Sequence, residues 1–155
     1  MKEVVEILTK NKKTISTMES CTGGYLANTI TNIEGASNIF QFGAVTYSNE
    51  YKIKIGVDKN IIDKYTVYSI ETAEEMSKKI SIFTNSNYGV GVTGKINKKD
   101  PLNPYGEDNK IYISIYDKDN NKYYNNIITS SPCGRKENKE IIINKITEIL
   151  LSILK

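Results

Sequence analysis

Ser20, Cys21 and Thr22 place three nucleophilic side chains in a row, with Glu19 before them and Gly23-Gly24 behind. A hydroxyl or thiol so placed attacks an electrophilic carbon once a neighbouring base takes its proton. Paired glycines let the backbone approach a ligand closely, so that amide groups can face a developing oxyanion. The chain contains no histidine. That excludes a Ser-His-Asp triad, a Cys-His dyad and a histidine-ligated metal, and the base must be Lys, Asp, Glu or Tyr. A lysine serves if burial lowers its pKa enough to leave it neutral. The plainer alternative is structural: Ser20 or Thr22 caps a helix, Cys21 is a small buried residue and the glycines make the turn. Arg135 also stands out, as the one arginine among 21 basic residues. Its planar fork suits bidentate binding of a carboxylate or phosphate, which lysine cannot match; an ordinary surface charge is the other explanation.

The elements that must position these residues can be read from the pattern. Val4, Val5, Ile7 and Leu8 mark a first helix that ends near Lys10. Thr14 to Met18 alternates as a first strand, and a helix follows from about Tyr25 with Leu26, Ile30 and Ile33 on one face. Ser20 therefore sits beyond the carboxyl end of a strand, where α/β sheets bind their ligands. Phe40 to Tyr47 reads as a strand, and Asp58 to Tyr65 as a short helix. Glu71 to Phe83 reads as a longer helix, with Ala73, Met76, Ile80 and Phe83 facing inward and Ser69 at its N-cap. Tyr88 to Gly94 is a buried strand running into a glycine turn. Lys95 to Asn109 is a polar loop, long enough to suggest a functional segment. Lys110–Tyr116 and Lys122–Thr129 form a β-hairpin, and a last helix runs from about Arg135 or Asn138 to Leu154. This order predicts one domain over residues 1–155, a three-layer α/β/α sandwich with a mixed, mostly parallel sheet.

Composition narrows the functional class. The chain has 155 residues, 39% hydrophobic and 25% charged, as expected of a globular domain. No apolar run is long enough to span a bilayer and no signal-peptide pattern opens the chain, so a cytoplasmic protein is expected. The net charge of +3 is diffuse, without the basic stripe of a nucleic-acid binder. Cys21 and Cys133 give neither zinc spacing nor a disulfide framework.

Glu19-Ser20-Cys21-Thr22-Gly23-Gly24 resembles the ESCTGG signature of the CinA C-terminal domain family, the nicotinamide-nucleotide amidohydrolases. Gly43-Ala44-Val45-Thr46-Tyr47-Ser48-Asn49-Glu50-Tyr51-Lys52 is similar to the family's G-x-V-T-Y-S-N-x-x-K, and Ile55-Gly56-Val57 to the L/I-G-V that follows. Gly35-Ala36-Ser37 and Val67 to Met76 resemble further family blocks. The resemblance implies hydrolysis of the carboxamide of nicotinamide mononucleotide, with Ser20, Lys52 and Tyr47 as catalytic residues, Ser20 the nucleophile and Lys52 the base. It also implies substrate contacts from Cys21, Thr22, Gly23, Gly24, Thr46, Ser48, Asn49, Thr93, Gly94 and Arg135, with Arg135 a partner for the phosphate. It implies a homodimer, a small nucleotide as the ligand, no nucleic-acid or membrane partner, and no metal or cofactor. Spacing alone does not select Lys52, since Lys54, Lys59 and Lys64 lie nearby as solvated lysines would.

The match departs after Thr93-Gly94. There the family carries I-A-G-P and further glycines, and this chain has the basic stretch Lys95 to Gly106. Such a loop either reshapes the pocket or supplies charge in place of amide donors. Two other functions are thus in view: a nucleotide- or partner-binding module that lost the chemistry, and an amidase for another small anionic amide. The larger relatives carry an N-terminal nucleotide-processing domain, for which this chain has no room. In the last helix, Ile141-Ile142-Ile143 and Leu150-Leu151 exceed one apolar stripe; core burial and a subunit contact are both compatible with that surplus.

Overall fold

The computed structural model describes residues 1–155. The chain runs α1 (Lys2–Lys10), β1 (Ile15–Glu19), α2 (Tyr25–Thr31), a 3-10 turn (Ala36–Asn38), β2 (Phe40–Val45), α3 (Asn49–Lys54), α4 (Lys59–Tyr65), α5 (Ile70–Thr84), β3 (Tyr88–Gly94), β4 (Lys110–Asp117), β5 (Lys122–Thr129) and α6 (Arg135–Leu154). The five strands form one sheet in the order β2-β1-β3-β4-β5. β1 pairs in parallel with β2 and β3, whereas β3–β4 and β4–β5 are antiparallel. Four of the five strands therefore point the same way, and β4 alone runs against them.

The sheet lies between two helical layers, as the alternation of elements requires. On one face α1, α2 and α6 bury Val4, Leu8, Leu26, Ile30, Ile142 and Ile146 against Ile15, Val90 and Ile113. On the other, α4 and α5 pack Ile62, Met76 and Ile80 against Met18 and Ala44. β1 and β3 are central, covered on both faces, and buried throughout. That is why their sequences read as small or apolar without strict alternation. Gly89 and Gly91 set the closeness of the α5 layer. A methyl group at either would collide with the backbone carbonyls of Ser77 or Ala73 on α5.

One local expectation is revised. Phe83 does not face inward. It is 60% exposed and stacks on Phe42 of the edge strand, 5.5 Å between ring centroids. The segment after β2 is a short helix, α3, capped by Ser48, whose hydroxyl accepts from the Tyr51 N–H. That helix folds Lys52 back toward the sheet, and it is buried. No helix is long and apolar enough to cross a membrane.

Candidate active site

β1 and β2 are adjacent and parallel, so the residues leaving their carboxyl ends emerge side by side. The pairing continues one step past the strands, where the Thr46 N–H donates to the Glu19 carbonyl at 2.8 Å. Ser20 lies just beyond β1, its N–H bonded to the Val92 carbonyl of β3. Lys52 arrives from α3, and its Nζ donates to Ser20 Oγ at 3.1 Å and to the Thr46 carbonyl at 2.7 Å. Both side chains are nearly closed to solvent, Lys52 at 1% and Ser20 at 7%. Burial disfavours the ammonium form and lowers the Lys52 pKa from 10.5 to about 8; the Asp100 carboxylate and the Cys21 sulfur oppose that shift only in part. The lysine is thus held beside a hydroxyl, and a pKa of about 8 leaves about a tenth of it neutral at pH 7. This combination lets an amine accept a serine proton.

The turn that presents Ser20 is not capped by Ser20 or Thr22. Glu19 does this from within the core. Its carboxylate, 1% exposed, accepts from the backbone N–H groups of Gly24 at 3.1 Å, Leu26 at 3.0 Å and Ala27 at 2.8 Å. The N-terminal amides of α2, which would otherwise attract an anion, are therefore already engaged. Gly23 and Gly24 take φ values of +61° and +91°, which carry the chain around the carboxylate. The Gly23 N–H also turns inward, to the Ser20 carbonyl at 3.0 Å. Of the amides from Cys21 to Gly24 expected to face an oxyanion, those of Gly23 and Gly24 are thereby engaged; the N–H groups of Cys21 and Thr22 bond to no other residue, and of these two only Cys21 lines the cleft.

Ser20 opens into a cleft of about 770 Å³, within the size range of small-ligand sites. Of the residues singled out in the sequence, Cys21, Tyr47, Ser48, Asn49, Gly94 and Arg135 line it with Ser20. Lys52 stands behind Ser20. Thr22, Gly23, Gly24, Thr46 and Thr93 lie outside the lining; Thr93 ties β3 to the Val67 carbonyl at 2.9 Å. Burial pushes the Cys21 thiol up to about 12, so it stays protonated at neutral pH. Tyr47 is 65% exposed at the rim, with its hydroxyl 3.5 Å from an Arg135 guanidinium nitrogen. Arg135 also donates to the Ile96 carbonyl at 2.9 Å.

Several organising residues were not identified from the sequence. Asn138, buried in α6, accepts from Ser131 N–H and donates to the Ser131, Cys133 and Gly134 carbonyls, which fixes the turn that delivers Arg135. Asn138 offered no signal beyond its type, an Asn at the start of a helix. The loop Lys95–Asn109 folds over the cleft and is fastened there. Asp100 accepts from the Tyr68 hydroxyl, and Asn103 accepts from Asn49 Nδ2 at 2.9 Å. Lys95 is buried under this loop, its ammonium bound to the Gly106 carbonyl and Asp108 and set over the Tyr68 ring. Lys98 and Lys99 line the cleft with no carboxylate partner.

The model of the CinA C-terminal domain matches residues 1–154. The chain belongs to the CinA C-terminal domain family. A relative from Thermoanaerobacter sp. (strain X514), one of those named for competence-damage induction, is 47% identical over 92 residues, 59% of this chain and 22% of that protein. A similarly named protein of Clostridium botulinum (strain ATCC 19397 / Type A) is also 47% identical over 92 residues, with the same coverage. The matched segment thus spans under a quarter of these longer proteins. The CinA fold is evident in the solved structures as well. The competence/damage inducible protein CihA from Agrobacterium tumefaciens superposes with a TM-score of 0.88 at 24% identity, covering 99% of this chain and 92% of that one. The CinA superfamily protein from Escherichia coli gives 0.85 at 20% identity, covering 98% and 87%.

Proposed function

We propose that this CinA-family protein hydrolyses the carboxamide of nicotinamide mononucleotide to nicotinate mononucleotide and ammonia, with Ser20 as nucleophile and Lys52 as its base. The observation that carries this reading is the 3.1 Å bond between Lys52 Nζ and Ser20 Oγ, buried together at the floor of an open cleft. Neutral Lys52 takes the Ser20 proton as Oγ attacks the carboxamide carbon. The N–H of Cys21, the turn residue that lines the cleft beside Ser20, stabilises the oxyanion. Lys52 returns the proton to the amide nitrogen, ammonia leaves, and an acyl-serine remains. Water, deprotonated by Lys52, then attacks the acyl carbon and frees Ser20 and the carboxylate product.

The basic side chains of Arg135, Lys98 and Lys99 support a phosphate-bearing substrate. The exposed Tyr47 stands at the rim as a substrate contact rather than as a second base. The reading is tested by incubating the purified chain with nicotinamide mononucleotide and measuring both products. Ammonia and nicotinate mononucleotide in a one-to-one ratio are expected. Saturable binding without either product would overturn the reading in favour of a binding module, and turnover confined to other carboxamides would make the chain an amidase of different substrate class.

A further inference from the structure

Lys52 Nζ has two hydrogen-bond partners, and they differ in kind. Ser20 Oγ, at 3.1 Å, is a hydroxyl that can donate or accept; the Thr46 main-chain carbonyl, at 2.7 Å, can only accept. No carboxylate lies within ion-pair distance of Lys52. As an ammonium the lysine donates to both oxygens. As a neutral amine it keeps two N–H groups and one lone pair, and a lone pair turned to a carbonyl oxygen is repelled. The shorter bond therefore takes an N–H, and the lone pair is left available to the Ser20 hydroxyl. Both oxygens are held by the sheet. The Thr46 N–H donates to the Glu19 carbonyl at 2.8 Å and the Ser20 N–H to the Val92 carbonyl at 3.0 Å. The lysine, by contrast, reaches them from α3 on a flexible four-carbon stem. Thr46 is 2% exposed, so water does not compete for its carbonyl.

Resting on the function proposed above, we infer that the Thr46 main-chain carbonyl is a positioning group, the third member of a Ser20–Lys52–carbonyl triad: it turns the neutral lysine so that the Ser20 O–H donates to Nζ, and it stabilises the ammonium formed as that proton transfers. A base oriented by a third group is the general arrangement for activating a serine. The contact strengthens as the reaction proceeds, because an ammonium donates a stronger hydrogen bond than an amine does. A carboxylate in this place would also orient the lysine, but its charge would hold the lysine protonated. The carbonyl dipole orients it and leaves burial as the dominant influence on its protonation. The Thr46 side chain takes no part in this, and its buried hydroxyl has no partner.

The test weakens one main-chain acceptor and changes no side chain. Tyr47 is replaced by its α-hydroxy acid, which turns the bond between residues 46 and 47 into an ester, whose carbonyl is the weaker acceptor. The N–H lost in this way donates to no other residue. The same replacement at Ser48 is the control, because the Tyr47 carbonyl and the Ser48 N–H are bonded to no other residue. Ammonia release from nicotinamide mononucleotide is followed against pH, and the Lys52 amine is titrated by nitrogen NMR without substrate. Asp100, kept ionised by its hydrogen bonds, and Cys21, kept protonated by burial, are the other titratable groups that act on Lys52; neither changes state in the neutral range, so the profile follows the lysine. The ester at position 47 is expected to lower the plateau of kcat about tenfold with KM little changed, and to move the Lys52 titration down by about half a pH unit, since the ammonium loses part of an acceptor. The ester at position 48 is expected to leave both within about twofold of the unmodified chain. Equal loss of kcat from the two esters would overturn the inference, and so would an unchanged kcat with the ester at 47. Loss of kcat at 47 with the Lys52 titration unmoved would also overturn it, by making the contact a structural tie. The proposed function fails separately, by absence of ammonia release from the unmodified chain; the titration of Lys52 reads the carbonyl in either case.

Discussion

Replacing Lys52 by methionine should abolish turnover and raise stability together. Lys52 titrates near 10.5 when unfolded and near 8 when folded, a difference of 2.5 pH units. At 1.36 kcal/mol per unit, burying this lysine in charged form costs about 3 kcal/mol below pH 8. The sign follows from proton binding. Between pH 8 and 10.5 the unfolded chain holds a proton that the folded chain has released, so the penalty is full below the folded pKa and fades as pH rises to the unfolded one. Methionine removes the penalty but leaves the Thr46 carbonyl without its 2.7 Å donor, a loss of about 1 kcal/mol. The net expectation is a gain of about 2 kcal/mol at pH 7, or roughly 5 °C in Tm for a chain of this size. Chemical denaturation of both proteins from pH 7 to 10.5 is the assay, with ammonia release alongside. The wild type should gain stability relative to the variant by about 3 kcal/mol across that range. The fraction of neutral lysine at pH 7 is about one in ten with a pKa of 8, against about one in three thousand at 10.5. Wild-type kcat/KM should therefore rise with pH and level off near 8. A pH-independent stability difference, or a variant less stable than wild type at pH 7, would refute the argument that burial tunes this lysine.

Glu19→Gln should lower stability by about 3 kcal/mol, because three amides of the Ser20 turn and α2 lose an ionised acceptor; urea denaturation reads it. Gly91→Ala should cost about 3 kcal/mol and broaden the thermal transition, since the added methyl meets α5 backbone rather than a movable side chain. Arg135→Lys should raise KM for the mononucleotide about tenfold with kcat little changed, because the planar fork that reaches Ile96 and Tyr47 is lost while the charge is kept.

The order of elements was legible because each buries one face, and that face writes its period into the sequence: Val4–Leu8, Leu26–Ile30 and Met76–Ile80 all reappear as core. The Ser20 turn was legible for the same reason, a strand ending in glycines before a helical stripe. Lys52 was not legible from physics. Its neighbours Lys54, Lys59 and Lys64 look alike in sequence, and only the parallel pairing of β1 with β2 and the return of α3 bring position 52 against position 20. Only the family motif singled it out. Glu19 was visible but without a role, because its partners are backbone amides five to eight residues on, and backbone groups leave no mark in a sequence. Phe83 shows the opposite failure. It falls on the helical stripe, yet α5 ends at the rim of the sheet, where the partner is another exposed ring.

Ammonia release from nicotinamide mononucleotide by the wild type beside Ser20→Ala bears on the central claim most directly. Removing Oγ takes away the atom bonded to Lys52 Nζ and little else, so fold and cleft should persist. The predicted result is steady turnover by the wild type and none above the uncatalysed rate by the variant, with both proteins equally folded by circular dichroism. Turnover by Ser20→Ala at the wild-type rate would contradict the account, because some other group would then be making the bond to the carboxamide carbon.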